Sequence, residues 1–103
     1  MGKMQREKGK RGEREVAQIL REHGYADARR TAQYAGVTAD SSDVIGLDGF
    51  HIEVKRQERA NIYEWFAQAK RDAGNDTPIV VFRRSGDKWM LLIEFEDFLE
   101  AIK

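Results

Sequence analysis

A six-residue stretch of strictly alternating side chains constrains the fold of this chain more than any other feature. The segment of residues 50–55, FHIEVK, follows Asp48-Gly49, a dipeptide typical of a two-residue hairpin turn. Neighbouring side chains of a strand point to opposite faces, so the even-numbered apolar residues share one face. Glu53 and Lys55 share the other face with a histidine. We therefore predict a hairpin with one buried face and one face that carries a carboxylate and an amine.

A second carboxylate, Asp43, begins the strand predicted before this turn, over residues 43–47. A hairpin that turns at residues 48–49 places Asp43 near the level of Val54 and Lys55. Two carboxylates, with the Val54 carbonyl as a further ligand, can hold Mg²⁺ or Mn²⁺ beside a phosphate. Lys55 could then orient the attacking water or stabilise developing charge. An ordinary surface hairpin with a cross-strand ion pair is the alternative for this motif taken alone.

The remaining periodicity predicts an α/β fold in the order helix, three strands, helix, two strands, helix. The first helix is predicted from about Gly9 to His23, with Glu13 on the same stripe as its apolar residues. The other predicted elements are a strand over 25–31, a loop over 33–42, a helix over 61–73, strands over 79–82 and 89–94, and a final helix that contains Phe98, Leu99 and Ile102 and is started by Asp97 or Glu96. A right-handed parallel crossover through the second helix gives a mixed five-stranded sheet flanked by helices.

Length and composition limit the kind of protein. A chain of 103 residues with 41% hydrophobic residues suits one domain with one core, in which residues 1–8 are expected to be flexible. No apolar run could span a membrane, no secretory signal is recognisable and no cysteine is present, so we expect a cytoplasmic protein. Residues 1–30 carry nine basic against five acidic residues, a net charge of +4, although the whole chain is neutral. This basic start suits contact with phosphate, and a solvated charged tail is the alternative.

The arrangement of Asp43, nine intervening residues and Glu53-Val54-Lys55 resembles the core motif of the PD-(D/E)XK nuclease superfamily. The predicted element order also matches the restriction-endonuclease-like core of that superfamily. Residues 10–20, KRGEREVAQIL, are similar to the first helix of archaeal-type Holliday junction resolvases. The resemblance implies that Glu13, Asp43 and Glu53 are metal ligands, directly or through water, and that Lys55 is the catalytic lysine.

Further residues are candidates for the same chemistry. Gln68, on the second helix, resembles a glutamine near the metal water in several branches of the superfamily, or is a solvated polar residue. One of Ser41 and Ser42 corresponds to a loop serine that assists catalysis in archaeal-type resolvases, and the two are not distinguished. His51 is a weak ligand candidate because Mg²⁺ prefers oxygen. The residues expected to contact DNA are Lys8, Lys10, Arg11, Arg14, Arg29, Arg30 and, by stacking on a base, Tyr34.

These features predict a Mg²⁺- or Mn²⁺-dependent endodeoxyribonuclease. The leading hypothesis is a homodimeric Holliday junction resolvase for DNA recombination and repair, in which aromatic residues of the second half form core or dimer contacts. The nearest alternative keeps the chemistry and changes the substrate: a phage or mobile-element nuclease, active in the host cytoplasm on flaps, nicks or linear DNA. A non-catalytic DNA-binding protein of the same fold is the third hypothesis, although a binder has no need of two carboxylates facing phosphate.

Overall fold

A mixed five-stranded sheet with three helices forms the molecule. The computed structural model describes residues 3–31 and 42–103, with side chains from residue 7 onwards. The elements are α1 (Lys3–Glu22), β1 (Arg29–Arg30), β2 (Val44–Ile45), β3 (Phe50–Arg56), α2 (Ile62–Asp72), β4 (Thr77–Arg83), β5 (Met90–Leu92) and α3 (Phe95–Ala101). The strands lie in the order β1-β2-β3-β4-β5, with β3 and β4 parallel and the other pairs antiparallel. The predicted α/β class and the parallel crossover are confirmed.

The parallel pair β3 and β4 forms the centre of the sheet, and a helix covers each face. Ile79 and Val80, adjacent on β4, are both buried because they point to opposite faces. On one face α1 packs through Val16 and Ala17 against Ile52, Val54 and their neighbours. On the other face α2 packs through Trp65 and Ala69 against Val80. The odd-numbered side chains of β3, including Glu53, therefore lie on the α2 face.

Helix α1 begins at Lys3, earlier than the predicted start near Gly9. The added residues are mostly good helix formers, which accounts for the earlier start. The buried stripe also differs from the predicted one: Gly12, Val16 and Ala17 are buried, whereas Ile19 is 39% exposed. At Gly12 the helix approaches the sheet so closely that an added Cβ would lie 3.3 Å from the side chains of Arg56 and Trp89.

The hairpin between β2 and β3 differs from its prediction in register. Val44 pairs with Ile52, one residue away from the predicted partner, and residues 46–49 connect the strands. The predicted turn at residues 48–49 is present, because the Phe50 N–H donates to the Leu47 carbonyl at 3.2 Å. The chain leaves β2 at Gly46, which has a φ of 112°. A Cβ added to Gly46 would lie 2.4 Å from the Cα of Ala28, so no residue with a side chain fits there. Strand β1 is also shorter than predicted, because residues 25–28 form a turn in which the Ala28 N–H donates to the Tyr25 carbonyl.

The C-terminal helix α3 exists as predicted but starts directly after Glu94 rather than at Glu96 or Asp97. Its apolar residues do not form a buried face: Phe95 is 73% exposed, and Phe98, Leu99 and Ile102 are also exposed. The predicted core role holds for Trp65, which is buried, and for Phe66 and Trp89, which pack partly buried against the cores. In the part of the chain that the structure describes, no helix is long and apolar enough to cross a membrane.

Candidate active site

The backbone holds Asp43 against β3. Its N–H donates to the Ile52 carbonyl (2.8 Å), and its own carbonyl accepts from the Thr31 N–H (3.0 Å). Its Oδ2 accepts a hydrogen bond from the Val54 N–H at 2.8 Å. The side chain thus reaches past its register position to Val54, and the predicted convergence of Asp43 with the Glu53-Val54-Lys55 segment is present despite the shifted register.

The Asp43 and Glu53 carboxyls lie close enough to influence each other, Asp43 partly buried and Glu53 buried. Burial, and then the charge of Glu53, raise the pKa of Asp43 to about 7. Burial likewise raises the pKa of Glu53 to about 7, although the nearby Lys55 lowers it. Two carboxyls in this state share a proton near neutral pH because their charges repel in a medium of low dielectric constant. A divalent cation can take the place of that proton.

Lys55 and Gln68 meet above the carboxyl pair, on the α2 face of the sheet. The Lys55 Nζ donates to the Gln68 Oε1 across a long 3.4 Å hydrogen bond, and both side chains are partly buried. The charge of Lys55 lowers the pKa of both Asp43 and Glu53. The structure thus brings together four of the predicted catalytic residues: Asp43, Glu53, Lys55 and Gln68.

A hydrogen-bonded chain from Ser42 through His51 to Glu53 was not predicted. The Ser42 Oγ lies 2.9 Å from the His51 Nδ1, and the His51 Nε2 lies 2.7 Å from the Glu53 Oε2. All three residues are buried. The alternation of β3 indicated that His51 and Glu53 share a face, but the partner serine could not be chosen without the path of the chain before β2. Ser41, the other candidate, lies outside the described residues.

Glu13 of α1 is close enough to Asp43 to feel its charge. Burial, and then Asp43, raise the pKa of Glu13, while Arg30 and Arg14 lower it. The Arg30 Nε donates to the Glu13 Oε1 at 3.0 Å. Arg30, predicted as a DNA contact, is therefore engaged with a carboxylate in this state of the protein.

The other predicted DNA-contact residues differ in their surroundings. Lys8 is paired with Glu58 through a 2.8 Å contact, so its charge is compensated locally. Four cationic side chains are exposed: Lys10, Arg11, Arg14 and Arg29. Tyr34 lies outside the described residues.

A comparison with protein-family models adds an independent observation. The model of the family described as "Phage putative PDDEXK endonuclease" matches residues 4–103. The chain belongs to this PD-(D/E)XK family. The family supports a nuclease with DNA as its substrate, and PD-(D/E)XK nucleases generally use divalent metal ions. No curated protein and no solved structure gives a significant match to the chain.

The residues of this PD-(D/E)XK endonuclease fit a divalent ion. Asp43 and Glu53 offer carboxylate oxygens, the ligands that hard cations prefer. Burial, and then neighbouring negative charges, raise the pKa of both carboxyls, and the charge of Lys55 offsets only part of this rise. An ion between the two carboxylates would supply further positive charge.

Proposed function

We propose that this PD-(D/E)XK endonuclease hydrolyses DNA phosphodiesters with Asp43, Glu53 and Lys55, and that residues 1–103 act as one nuclease domain. Asp43, Glu53 and the Val54 carbonyl hold Mg²⁺ or Mn²⁺, and Glu13 contributes directly or through water. When bound, the ion lowers the pKa of a water molecule and neutralises charge on the phosphate. The observation that carries the proposal is the carboxyl pair, tied to the Val54 N–H and adjacent to a lysine.

Lys55 is the group that we assign to the reacting phosphate or water. Its contact with Gln68 holds the amine on the same face as Glu53, from which it can orient an attacking water or donate to a phosphate oxygen. Gln68 limits the rotamers of Lys55 and could bond the same water. In-line attack by that water breaks the bond to the 3′ oxygen and leaves a 5′-phosphate end.

The DNA approaches, in this proposal, along the basic N-terminal half of the chain. The exposed Lys10, Arg11 and Arg14 lie on the helix that carries Glu13, and Arg29 precedes the arginine that pairs with Glu13. Cations so placed bind phosphates on either side of the scissile bond without reading sequence. We also assign Lys8, Arg30 and Tyr34 to DNA contact, which requires Lys8 and Arg30 to exchange a carboxylate partner for phosphate.

The substrate is proposed at two levels. The family match fits a phage nuclease. We propose flap, nicked or linear DNA in the host cytoplasm as the substrate of such a nuclease. The similarity of residues 10–20 to archaeal-type resolvases favours branched DNA, a four-way junction in particular, and a role in recombination or repair. The same chemistry serves a phage nuclease and a junction resolvase, so the two assignments are compatible. We therefore propose a phage nuclease whose preferred substrate is branched DNA.

A homodimer is proposed through β5 and α3. β5 is an edge strand of the described sheet, and it exposes Met90 and Leu91. α3 and its C-cap, which follow β5 in the chain, expose four large apolar side chains as well: Phe95, Phe98, Leu99 and Ile102. A second copy is the occupant that we infer, because an unpaired strand edge can pair with its own symmetry mate and a symmetric junction suits a two-fold enzyme. Sedimentation of wild type and Phe98→Glu tests this: a wild-type monomer would contradict it.

A substrate panel tests the proposed function. Labelled four-way junction, flap, nicked duplex and linear duplex are each incubated with wild type or Glu53→Gln in Mg²⁺ or Mn²⁺. We expect cleavage by wild type alone, strongest on the junction and with paired symmetric nicks. Preference for linear or nicked DNA would overturn the branched-DNA assignment. Equal cleavage by Glu53→Gln, or no cleavage of any substrate, would overturn the nuclease site.

A further inference from the structure

We propose a second cation site, formed by His51, Glu53 and Asp72, that takes a zinc-like transition-metal ion. The His51 ring nitrogen and one carboxylate oxygen from each acidic residue all lie within 4.8 Å of one another. The site goes beyond the proposed nuclease function, with which it shares only Glu53.

The position of these three residues follows from one face of β3 packing against one face of α2. Residues 51, 53 and 55 share the α2 face of β3, and Gln68 and Asp72 share one face of α2 because they lie four residues apart. Helix and strand run in opposite directions, since Gln68 meets Lys55 and Asp72 meets His51 and Glu53. The four-residue step from Gln68 to Asp72 spans about 6 Å along the helix, and the two-residue step from Lys55 to Glu53 spans about 6.6 Å along the strand. Asp72 therefore lies level with Glu53 when Gln68 lies level with Lys55. The packing of α2 on β3 therefore brings together three residues that can ligate a metal: His51, Glu53 and Asp72.

The orientation of His51 is an independent indication of a ligand. A metal-bound histidine donates its other ring N–H to a fixed acceptor, which sets the tautomer and aims the free nitrogen. Here the Ser42 Oγ lies 2.9 Å from Nδ1, and Nε2 points at Glu53. Ser42 is itself fixed, because its carbonyl accepts from the Thr31 hydroxyl at 2.7 Å. With an ion bound, Nε2 would face the ion in place of its 2.7 Å contact with Glu53, and the ring proton would lie on Nδ1, donated to Ser42.

Charge and size both permit an ion at this position. Asp72 and Glu13 add negative charge around Glu53. Neighbouring ligand atoms of a tetrahedral zinc ion lie about 3.3 Å apart, since each lies about 2.0–2.1 Å from the metal. The three atoms lie within 4.8 Å of one another, so the widest separation must close by up to about 1.5 Å, and the 2.7 Å contact between His51 and Glu53 must open by about half an ångström. Asp72, exposed at the last residue of α2, is the side chain that can move inwards.

The ligand set separates the two sites chemically. Imidazole suits Zn²⁺ and related ions, whereas an all-oxygen set suits Mg²⁺ and Mn²⁺. With saturating Mg²⁺ in the oxygen site, we expect the protein still to bind one equivalent of Zn²⁺. His51→Gln and Asp72→Asn should weaken that binding by about tenfold or more. His23→Gln and Asp76→Asn, which alter an exposed histidine and an exposed aspartate, should leave it unchanged.

Calorimetric titration of the full chain with Zn²⁺ in a Mg²⁺ background tests the site, and ¹⁵N NMR of the histidine side chains identifies the ligand. Saturable binding that shifts the His51 Nε2 resonance and is weakened by Asp72→Asn supports the proposal. No binding, binding that Asp72→Asn leaves intact, or a shift of His23 instead would overturn it. DNA cleavage in Mg²⁺ by the same samples separates the two claims: cleavage without Zn²⁺ binding overturns the second site alone, and Zn²⁺ binding without cleavage overturns the nuclease function alone.

Discussion

Replacing Asp43 by asparagine should stabilise the metal-free protein at alkaline pH while it removes the proposed metal site. Asparagine keeps the shape of the side chain, and its Oδ1 can still accept from the Val54 N–H. It cannot ionise, so the repulsion with Glu53 disappears. A gain in stability on loss of a functional group is the signature of a site whose charges are held together for a cation.

The magnitude follows from the pKa of Asp43, which is 3.8 ordinarily and about 7 in the folded protein. Between these values the folded state binds more protons than the unfolded state, so stability falls as the pH rises and the loss is complete above about 7. Between pH 5 and about pH 7 this carboxyl is protonated in the folded protein and ionised in the unfolded chain. Each of these two pH units lowers the free energy of unfolding by about 1.36 kcal/mol. The advantage of Asp43→Asn over wild type should therefore grow by roughly 3 kcal/mol between pH 5 and pH 8.

Urea denaturation in EDTA at both pH values measures this difference. Asp48→Asn is the matched control, because Asp48 is exposed in the turn between β2 and β3 and its replacement should have no such pH dependence. Added Mn²⁺ should stabilise wild type at pH 8 and leave Asp43→Asn largely unaffected. An advantage of Asp43→Asn that is equal at both pH values, or a loss of stability at pH 8, would refute the reasoning.

Two pairs of glycine variants test the scaffold, and a fifth variant tests the lysine. Gly46→Ala should destabilise the protein by roughly 3 kcal/mol or more, because its Cβ would overlap Ala28, whereas Gly49→Ala, with positive φ in open space, should cost about 1–2 kcal/mol. Gly9→Ala should stabilise α1 by up to about 1 kcal/mol. The free energy of unfolding of Gly12→Ala should be about 1–2 kcal/mol lower than that of Gly9→Ala, because the added Cβ would make close contacts with the sheet. Urea denaturation measures both pairs, and equal effects within either pair would contradict the packing. Lys55→Met should abolish measurable cleavage while the protein remains folded in EDTA; retained cleavage would exclude Lys55 from catalysis.

The part of the site that lies on one strand could be predicted from the sequence. Strand alternation is a local property, so Glu53 and Lys55 were correctly placed on one face, with His51 beside them. The parallel crossover followed from the length of the segment between two apolar strands. The turn at Asp48-Gly49 was predicted correctly, but the hairpin register was wrong, because β2 ends before Gly46, where the chain passes close to Ala28.

The contacts between distant segments could not be predicted in the same way. Arg30 meets Glu13 because of the way α1 packs on the sheet. Asp72 lies near His51 and Glu53 because of the way α2 packs on it. The exposure of α3 was missed for the same reason: a helical apolar pattern shows which residues share a face and leaves open what covers that face.

Metal-dependent cleavage by matched aspartate variants tests the central claim most directly. Wild type, Asp43→Asn and Asp48→Asn are compared on labelled four-way junction and duplex DNA, with Mn²⁺ and with EDTA. We predict that wild type and Asp48→Asn cleave at equal rates in Mn²⁺ and not in EDTA, and that Asp43→Asn, although folded and more stable at pH 8, does not cleave. Cleavage by Asp43→Asn at the wild-type rate, or cleavage by wild type in EDTA, would contradict a metal-dependent nuclease site at Asp43 and Glu53.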